Sequence, residues 1–301
     1  MRSRVHVLLG LGLWLAWAPR AEAGDSDFRL NAGTGSGNAR RGVLFDESFR
    51  PRNDLFRDFA TQLGFVLAPR NASPAETLGH AGFHLGAMWS GSFVSADQPY
   101  WQVTDRAQAG RGTADVLHTL QLDVRKGLPF SFELGVNLMW LWDSSIFAPG
   151  LEVRWALQEG FKYAPDFSVR GSVNHMVGNR DLLLTTVSLD AMLSKNFGLF
   201  GMINLCPYVG WSLIMIAATS RVIDPTPAPT MVSDEDDRLD QNFVFDEINA
   251  TDRINHKLTF GVRTLVYVLN ISVQGELQML SKYDTGGGGI ATLTTKLGLD
   301  F

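Results

Sequence analysis

The sequence predicts an all-β fold: an antiparallel transmembrane β-barrel of about ten strands, with one short helix ahead of it. Three observations lead there. From residue 79 to 301 apolar and polar residues alternate over long runs, which marks strands with one apolar and one polar face. Each run is long enough for a tilted strand to cross a bilayer, which takes about 9–11 residues. Aromatic residues gather at the predicted strand ends, where a headgroup region favours amphipathic rings.

The chain opens with a targeting pattern. Arg2 and Arg4 precede an apolar stretch at 5–17, and Ala21-Glu22-Ala23 supplies a small-residue cleavage box. The stretch falls short of the about 20 residues of a membrane helix and reads as a signal peptide, residues 1–23, cleaved so that the mature chain begins at Gly24. Residues 24–78 form an N-terminal extension. Its first part is rich in Gly, Asn and Arg and reads as flexible. Leu55, Phe56, Phe59 and Leu63 then fall at helical spacing over 53–64. Asn53 or Asp54 is placed to cap that helix and Gly64 to end it. Pro69 and Pro74 make 65–80 a linker. The helix plugs the barrel from below, packs on its periplasmic rim, or remains part of a loosely ordered extension.

Residues 79–301 are the barrel. Its outward rows begin with Phe83, Leu85 and Trp89, then Leu120, Leu122 and Val124, then Phe132, Leu134, Val136 and Leu138. Leu151, Val153 and Trp155 form the fourth row, Phe167, Val169 and Val173 the fifth, and Val187, Leu189 and Leu193 the sixth. The seventh is Leu205, Val209, Trp211 and Leu213; the eighth Leu258, Phe260 and Val262; the ninth Ile271, Val273 and Leu277. Strand counts of 8 or 12 stay open, because 43–49 or 62–68 can add strands. Pro207 lacks a ladder donor, so a bulge is expected there. Soluble β-sandwiches also alternate, but their strands average about 5–6 residues.

An even count puts both termini in the periplasm. Trp89, Trp140 and Trp142 then sit at upper strand ends, and Phe130, Phe132, Phe167, Tyr267 and Phe301 at lower ends. Short connections at 125–129 and 269–270 are periplasmic, while 90–114 and 217–255 are extracellular loops.

The last strand carries a resemblance. Leu293, Thr295, Leu297, Leu299 and the terminal Phe301 form an alternating row closed by Phe. This resembles the C-terminal signal of bacterial outer-membrane β-barrel proteins. The resemblance implies a porin-like class of the cell outer membrane, with outer-membrane lipid and the barrel assembly machinery as partners. It selects no subfamily.

If apolar faces meet lipid, the opposite faces line a lumen. His84, Asp123, Arg125, Glu133, Glu152, Arg154, Arg170, Asp190, Lys257, Arg263, Glu276 and Lys296 all fall on that side, with Asp300. Acids and bases balance there. A barrel this narrow is nearly filled by side chains, so ion pairs crosslinked by Arg forks are expected. The function expected is a narrow or gated channel for a small-molecule solute. A surface-binding or structural barrel acting through its loops is the alternative, and an outer-membrane hydrolase is a third reading.

Catalysis lacks a constellation. The candidate histidines are His84, His118, His175 and His256; His118 and His175 fall on the lipid side, and neither has a Ser and a carboxylate at strand-face spacing. His84 faces inward, where a hydrogen bond to a lumen carboxylate accounts for it. The acidic residues 234–237, Asp240, Asp246, Glu247 and Asp252 lack the glycine and spacing of a Ca²⁺ loop and read as a solvated surface. The Pro-rich start of that loop, at 225–229, reads as stiff. The glycines at 286–289 precede no helix, so they are not a phosphate cradle. One cysteine, Cys206, excludes an internal disulfide or a cysteine metal site. A net charge of -5 argues against nucleic acid. No enzyme activity, cofactor or metal is expected.

Overall fold

The structure, a computed structural model, describes residues 24–31, 33–34, 41–46, 50–199, 203–223, 243–252, 254–279 and 289–301. The signal peptide, the Pro-rich run at 225–229, the acidic residues at 234–237 and Asp240, and the glycines at 286–288 lie outside the described residues.

Ten strands form a closed antiparallel barrel. They are β1 (Phe83–Phe93), β2 (Val116–Leu128), β3 (Phe132–Leu141), β4 (Phe147–Gln158), β5 (Asp166–His175), β6 (Leu182–Ser194), β7 (Ile203–Ser220), β8 (Ile254–Val266), β9 (Leu269–Met279) and β10 (Ile290–Asp300). Each pairs with its sequence neighbour, and β10 returns to β1 with Lys296 opposite Met88. Phe301 and Phe83 exchange backbone hydrogen bonds of 2.8 and 2.9 Å and complete the seam. Closure removes the free edge that an open sheet must protect. Residues 62–66 are helical and 43–44 form a turn, so among the described residues neither segment adds a strand to the barrel; 47–49 lie outside the described residues.

The burial pattern follows the alternation. Leu85, Leu122, Val136, Leu151, Val209, Val273 and Leu297 are exposed on the outside, while the polar residues between them are buried. Pro207 departs from expectation. The pairing of β7 with β8 runs through Pro207 opposite Val262 without a register shift. Among the described residues, the one register shift in the barrel wall lies at Ala156/Gln158. The carbonyl of Pro207 accepts from Lys195 N at 3.2 Å, just where the β6 ladder is interrupted. Since N–H and C=O of one strand residue point the same way, the donor that proline lacks falls at that interruption. β7 also outruns its neighbours, pairing as far as Ser220 opposite Leu182.

The helix α1 (Asn53–Val66) runs longer than the sequence suggests and is capped differently. Arg52 occupies the N-cap without a side-chain bond, because Asn53 Oδ1 accepts from Asp246 N at 3.1 Å. Gly64 lies inside the helix. A Cβ there would stand 2.7 Å from Ile216 Cδ1, so this glycine allows close approach to β7 and does not end the helix.

The largest correction concerns where the extension goes. The helix lies inside the barrel at the end that carries the long loops. Phe56, Phe59, Leu63, Phe65 and Val66 are buried there with Met139, Leu141, Leu182, Leu184, Ile214 and Ile216. Phe56 stacks on Phe245 at 4.6 Å, and Trp101 from the β1–β2 connection meets Phe59 edge-on and donates to Gln62 Oε1 at 2.8 Å. The helix therefore neither enters from below nor packs on the lower rim. An apolar helix needs apolar walls, and the upper interior offers them. Nor does the chain before it lie at the short-turn end. Ser26 N donates to Asp143 O at 2.9 Å and Leu30 N to Asp181 Oδ2 at 3.0 Å, both in connections at the long-loop end. β1 starts, and β10 finishes, at the opposite end.

Candidate functional site

Below the helix, residues 67–78 pass through the lower lumen as an extended strap of small and polar residues. From Leu67 to Ala75 every residue is buried. With no helix or sheet of its own, the strap takes its hydrogen bonds from the barrel wall, as buried backbone must. Asn174 Nδ2 donates to Leu67 O at 3.2 Å. Arg170 reaches Arg70 O at 3.3 Å, and Arg154 reaches Pro74 O at 3.1 Å and the side chain of Asn71. Lys296 Nζ donates to Ser73 Oγ at 3.3 Å, and Ala75 N to Ser194 Oγ at 3.0 Å. Lower down, Thr77 N donates to Glu159 Oε2 at 2.8 Å and Leu78 N to Glu133 Oε2 at 3.2 Å.

The strap also brings one charge of each sign, and each finds a wall partner. Arg70 Nη1 stands 3.1 Å from Glu276 Oε2, and its other end donates to Val66 O at 2.7 Å and Ser92 Oγ at 3.0 Å. Glu76 pairs with Arg263 and also accepts from Asn196. The strap thus adds one acid and one base and leaves the net charge of the lumen unchanged.

The wall residues pair along and across strands. Glu276 also holds Lys257 at 3.0 Å. Arg170 bridges Glu152 at 2.6 Å and Asp190. Arg125 joins Asp123 at 3.2 Å and Glu133 at 2.9 Å, and Arg154 stands 3.8 Å from Glu133. Lys296 meets Asp123 at 3.0 Å. His84 hydrogen-bonds Asp300, with its Nε2 3.2 Å from Asp123 Oδ2. Two glycines make room for that ring: a Cβ on Gly86 or Gly298 would approach it to 2.6 or 2.4 Å. Every lumen residue named from the sequence is buried except Asp300, at the lower rim, which is half-buried. The strap partners Arg70, Asn71, Ser73 and Glu76 and the wall residue Asn174 were missed. Arg70 and Glu76, the two charges in 65–79, were the available signal.

His118 and His175, read as lipid-facing, lie on the exposed face, and so does His256. His118 stacks on Trp89 at 5.4 Å and His256 on Trp211 at 5.6 Å, and His175 bonds Thr185 Oγ1 at 2.8 Å. Phe132 stacks on Trp155 at 5.4 Å near the short-turn end, and Trp140 meets Trp142 at 5.3 Å near the long-loop end. An apolar belt between aromatic ends, on a closed barrel with a polar wall inside, is a surface built for lipid. The chain is a closed ten-strand antiparallel β-barrel with the exterior of a transmembrane barrel. No known family profile and no curated protein matches its sequence. Among solved structures it is similar to Neisserial surface protein A, at 11% identity over 73% of this chain and 97% of that one, with a TM-score of 0.31. It is also similar to the N-terminal barrel domain of Pseudomonas aeruginosa OprF, at 13% identity over 74% and 99%, TM-score 0.28. The KdgM porin shares 5% identity over 72% and 99%, TM-score 0.30. At such identity and overlap the likeness assigns neither a function nor a subfamily.

A second feature of this barrel lies at the long-loop end. A cleft of about 410 Å³ is lined by Asp27, Phe28, Arg29, Asn31, Asp105, Ser145, Gly178, Asn179, Arg180 and Asp181. Asp27 is engaged by Ser145 N at 2.8 Å. Burial raises the Asp105 carboxyl above its usual range, against the pull of Arg29.

Proposed function

We propose that the protein is a gated channel for small polar solutes, held shut by residues 53–78. The observation that carries this reading is the difference between the two halves of the plug. The helix is packed by apolar contact, whereas the strap below it is held mainly by hydrogen bonds and ion pairs to a polar wall. Water and a polar solute can take over such bonds, as they cannot take over apolar contacts; a neutral protein hydrogen bond is worth about 0.5–1.5 kcal/mol over its hydrated alternative and one to a charged group about 1.5–3 kcal/mol. The wall also carries buried polar atoms without a protein partner among the described residues, including Ser168 Oγ, Ser172 Oγ and Asn137 Oδ1, which suits a path that takes up water. In this reading no catalytic group or cofactor takes part. The partners are outer-membrane lipid, the small solute and, through the strand ending at Phe301, the assembly machinery.

Liposome swelling with sugars and amino acids tests it. The mature chain should admit little solute, and a chain lacking residues 24–78 should admit it freely; no flux from either would end the transport reading. A second reading draws on the cleft at the long-loop end: a barrel that binds at the surface through its extension and loops. It gains ground if removing Arg29 and Arg180 alters cell-surface binding while solute flux is unaffected by any change in the strap.

A further inference from the structure

We propose that residues 24–31 lie on the outside of the cell, so that the chain runs inward through its own barrel before the first strand begins. Two anchor points fix the path. At the long-loop end, Arg29 N donates to Val103 O at 3.1 Å, Asn179 Nδ2 to Phe28 O at 3.0 Å, and Ser145 Oγ to Asp27 Oδ1 at 2.9 Å. Asp25 also pairs with Arg106 and Arg111 of the β1–β2 connection. Three separate connections thus clasp the segment. At the short-turn end, Leu78 is tied to Glu133, and Phe83 starts β1 opposite Lys126.

The chain between these points must traverse the barrel, and its length suffices. The helix of 14 residues spans about 21 Å at 1.5 Å per residue. The extended strap adds up to about 3.3 Å per residue. The apolar band to be crossed is about 25 Å tall. In barrels of this class the long loops face outward and the tight turns face the periplasm. The clasped segment then shares the outer face with loops 94–115, 142–146 and 176–181. A stretch that precedes the barrel in sequence is presented to the surroundings of the cell, although β1 begins on the periplasmic side. It forms one wall of the surface cleft through Asp27, Phe28 and Arg29, so whatever meets that cleft touches the same chain that fills the lumen.

Thiol labelling of the full chain tests this. In a Cys206→Ala background, single cysteines are placed at Arg29, at Arg111 in the β1–β2 connection and at Lys126 at the short-turn end. A membrane-impermeant maleimide is applied to intact cells and, separately, to the detergent-extracted folded protein. Labelling of Arg29→Cys and Arg111→Cys in cells, with Lys126→Cys labelled only after extraction, is the expected result. Labelling of Arg29→Cys only after extraction overturns the proposal, whatever Arg111→Cys does. Labelling of Lys126→Cys in intact cells overturns it as well. A compact unboiled gel band checks that each variant is folded, and Asn31→Cys replaces Arg29→Cys if that band is lost.

Discussion

Replacing Arg70 by Met keeps an aliphatic stem in the lumen and removes the three contacts that its guanidinium makes with Glu276, Val66 and Ser92. Breaking one side of a buried ion pair costs about 3–5 kcal/mol. Here the low end applies, because Glu276 keeps Lys257 at 3.0 Å and Gln274 at 2.9 Å. If the pair forms only with the strap seated, a loss of about 3 kcal/mol multiplies the share of molecules with a displaced strap about a hundredfold. Glu276→Gln should act more strongly, since it leaves both Arg70 and Lys257 facing a neutral amide. The native thiol reads the effect. Cys206 is fully buried on the inner face of β7, beside Ser194 and Tyr208, which touch the strap at Ala75. A polar maleimide should label it slowly in the parent, about a hundredfold faster in Arg70→Met, and faster still in Glu276→Gln. Equal rates in all three proteins, each with its folded band intact, would refute the view that this pair holds the strap.

Three further outcomes follow from the packing. Gly64→Val drives a branched side chain into Ile216 and should cost about 1–3 kcal/mol of overpacking, seen as protease sensitivity of the extension while the barrel band survives. Pro207→Val restores a ladder donor opposite Lys195 and should raise the temperature at which the unboiled band is lost, by a gain of about 0.5–1.5 kcal/mol; a lower temperature would mean that the interruption at Lys195 is not relieved. Deleting Phe301 removes both backbone bonds to Phe83 and should cut the amount of folded barrel in outer membranes, measured by fractionation and blotting.

The barrel wall was legible because its physics is local. A strand that faces lipid on one side and a polar interior on the other must alternate, so Leu134, Val136 and Leu138 announce their face and Glu133 and Asn137 the opposite one. The pairing of the charges followed from the narrowness of a ten-strand lumen. The path of the extension was not legible. Residues 67–78 have no periodicity, because the strap is neither helix nor strand and is surrounded by wall on all sides. Pro, Ala, Asn and Ser in such a segment look like a linker whether it is solvated or buried. The helix face was plain in Leu55, Phe56, Phe59 and Leu63, but a face does not name its partner. One signal was present. Along 213–218, Leu-Ile-Met-Ile-Ala-Ala breaks the alternation with apolar residues on both sides, and Ile214, Ile216 and Ala218 turn out to line the pocket that receives the helix. Helix capping was misread for a related reason: the side chain of Asn53 is claimed by a loop nearly two hundred positions away, and Gly64 by the approach of Ile216.

Single-channel recording before and after cutting one polypeptide tests the central claim, that residues 53–78 close an otherwise permeable lumen. A protease site is placed at 79–82, between strap and first strand, and the reconstituted full-length protein is recorded in a planar bilayer. The account predicts a silent channel before cleavage and stable conductance once the cut segment has been washed out with mild denaturant. Conductance before cleavage, or silence after the segment has left, would contradict it.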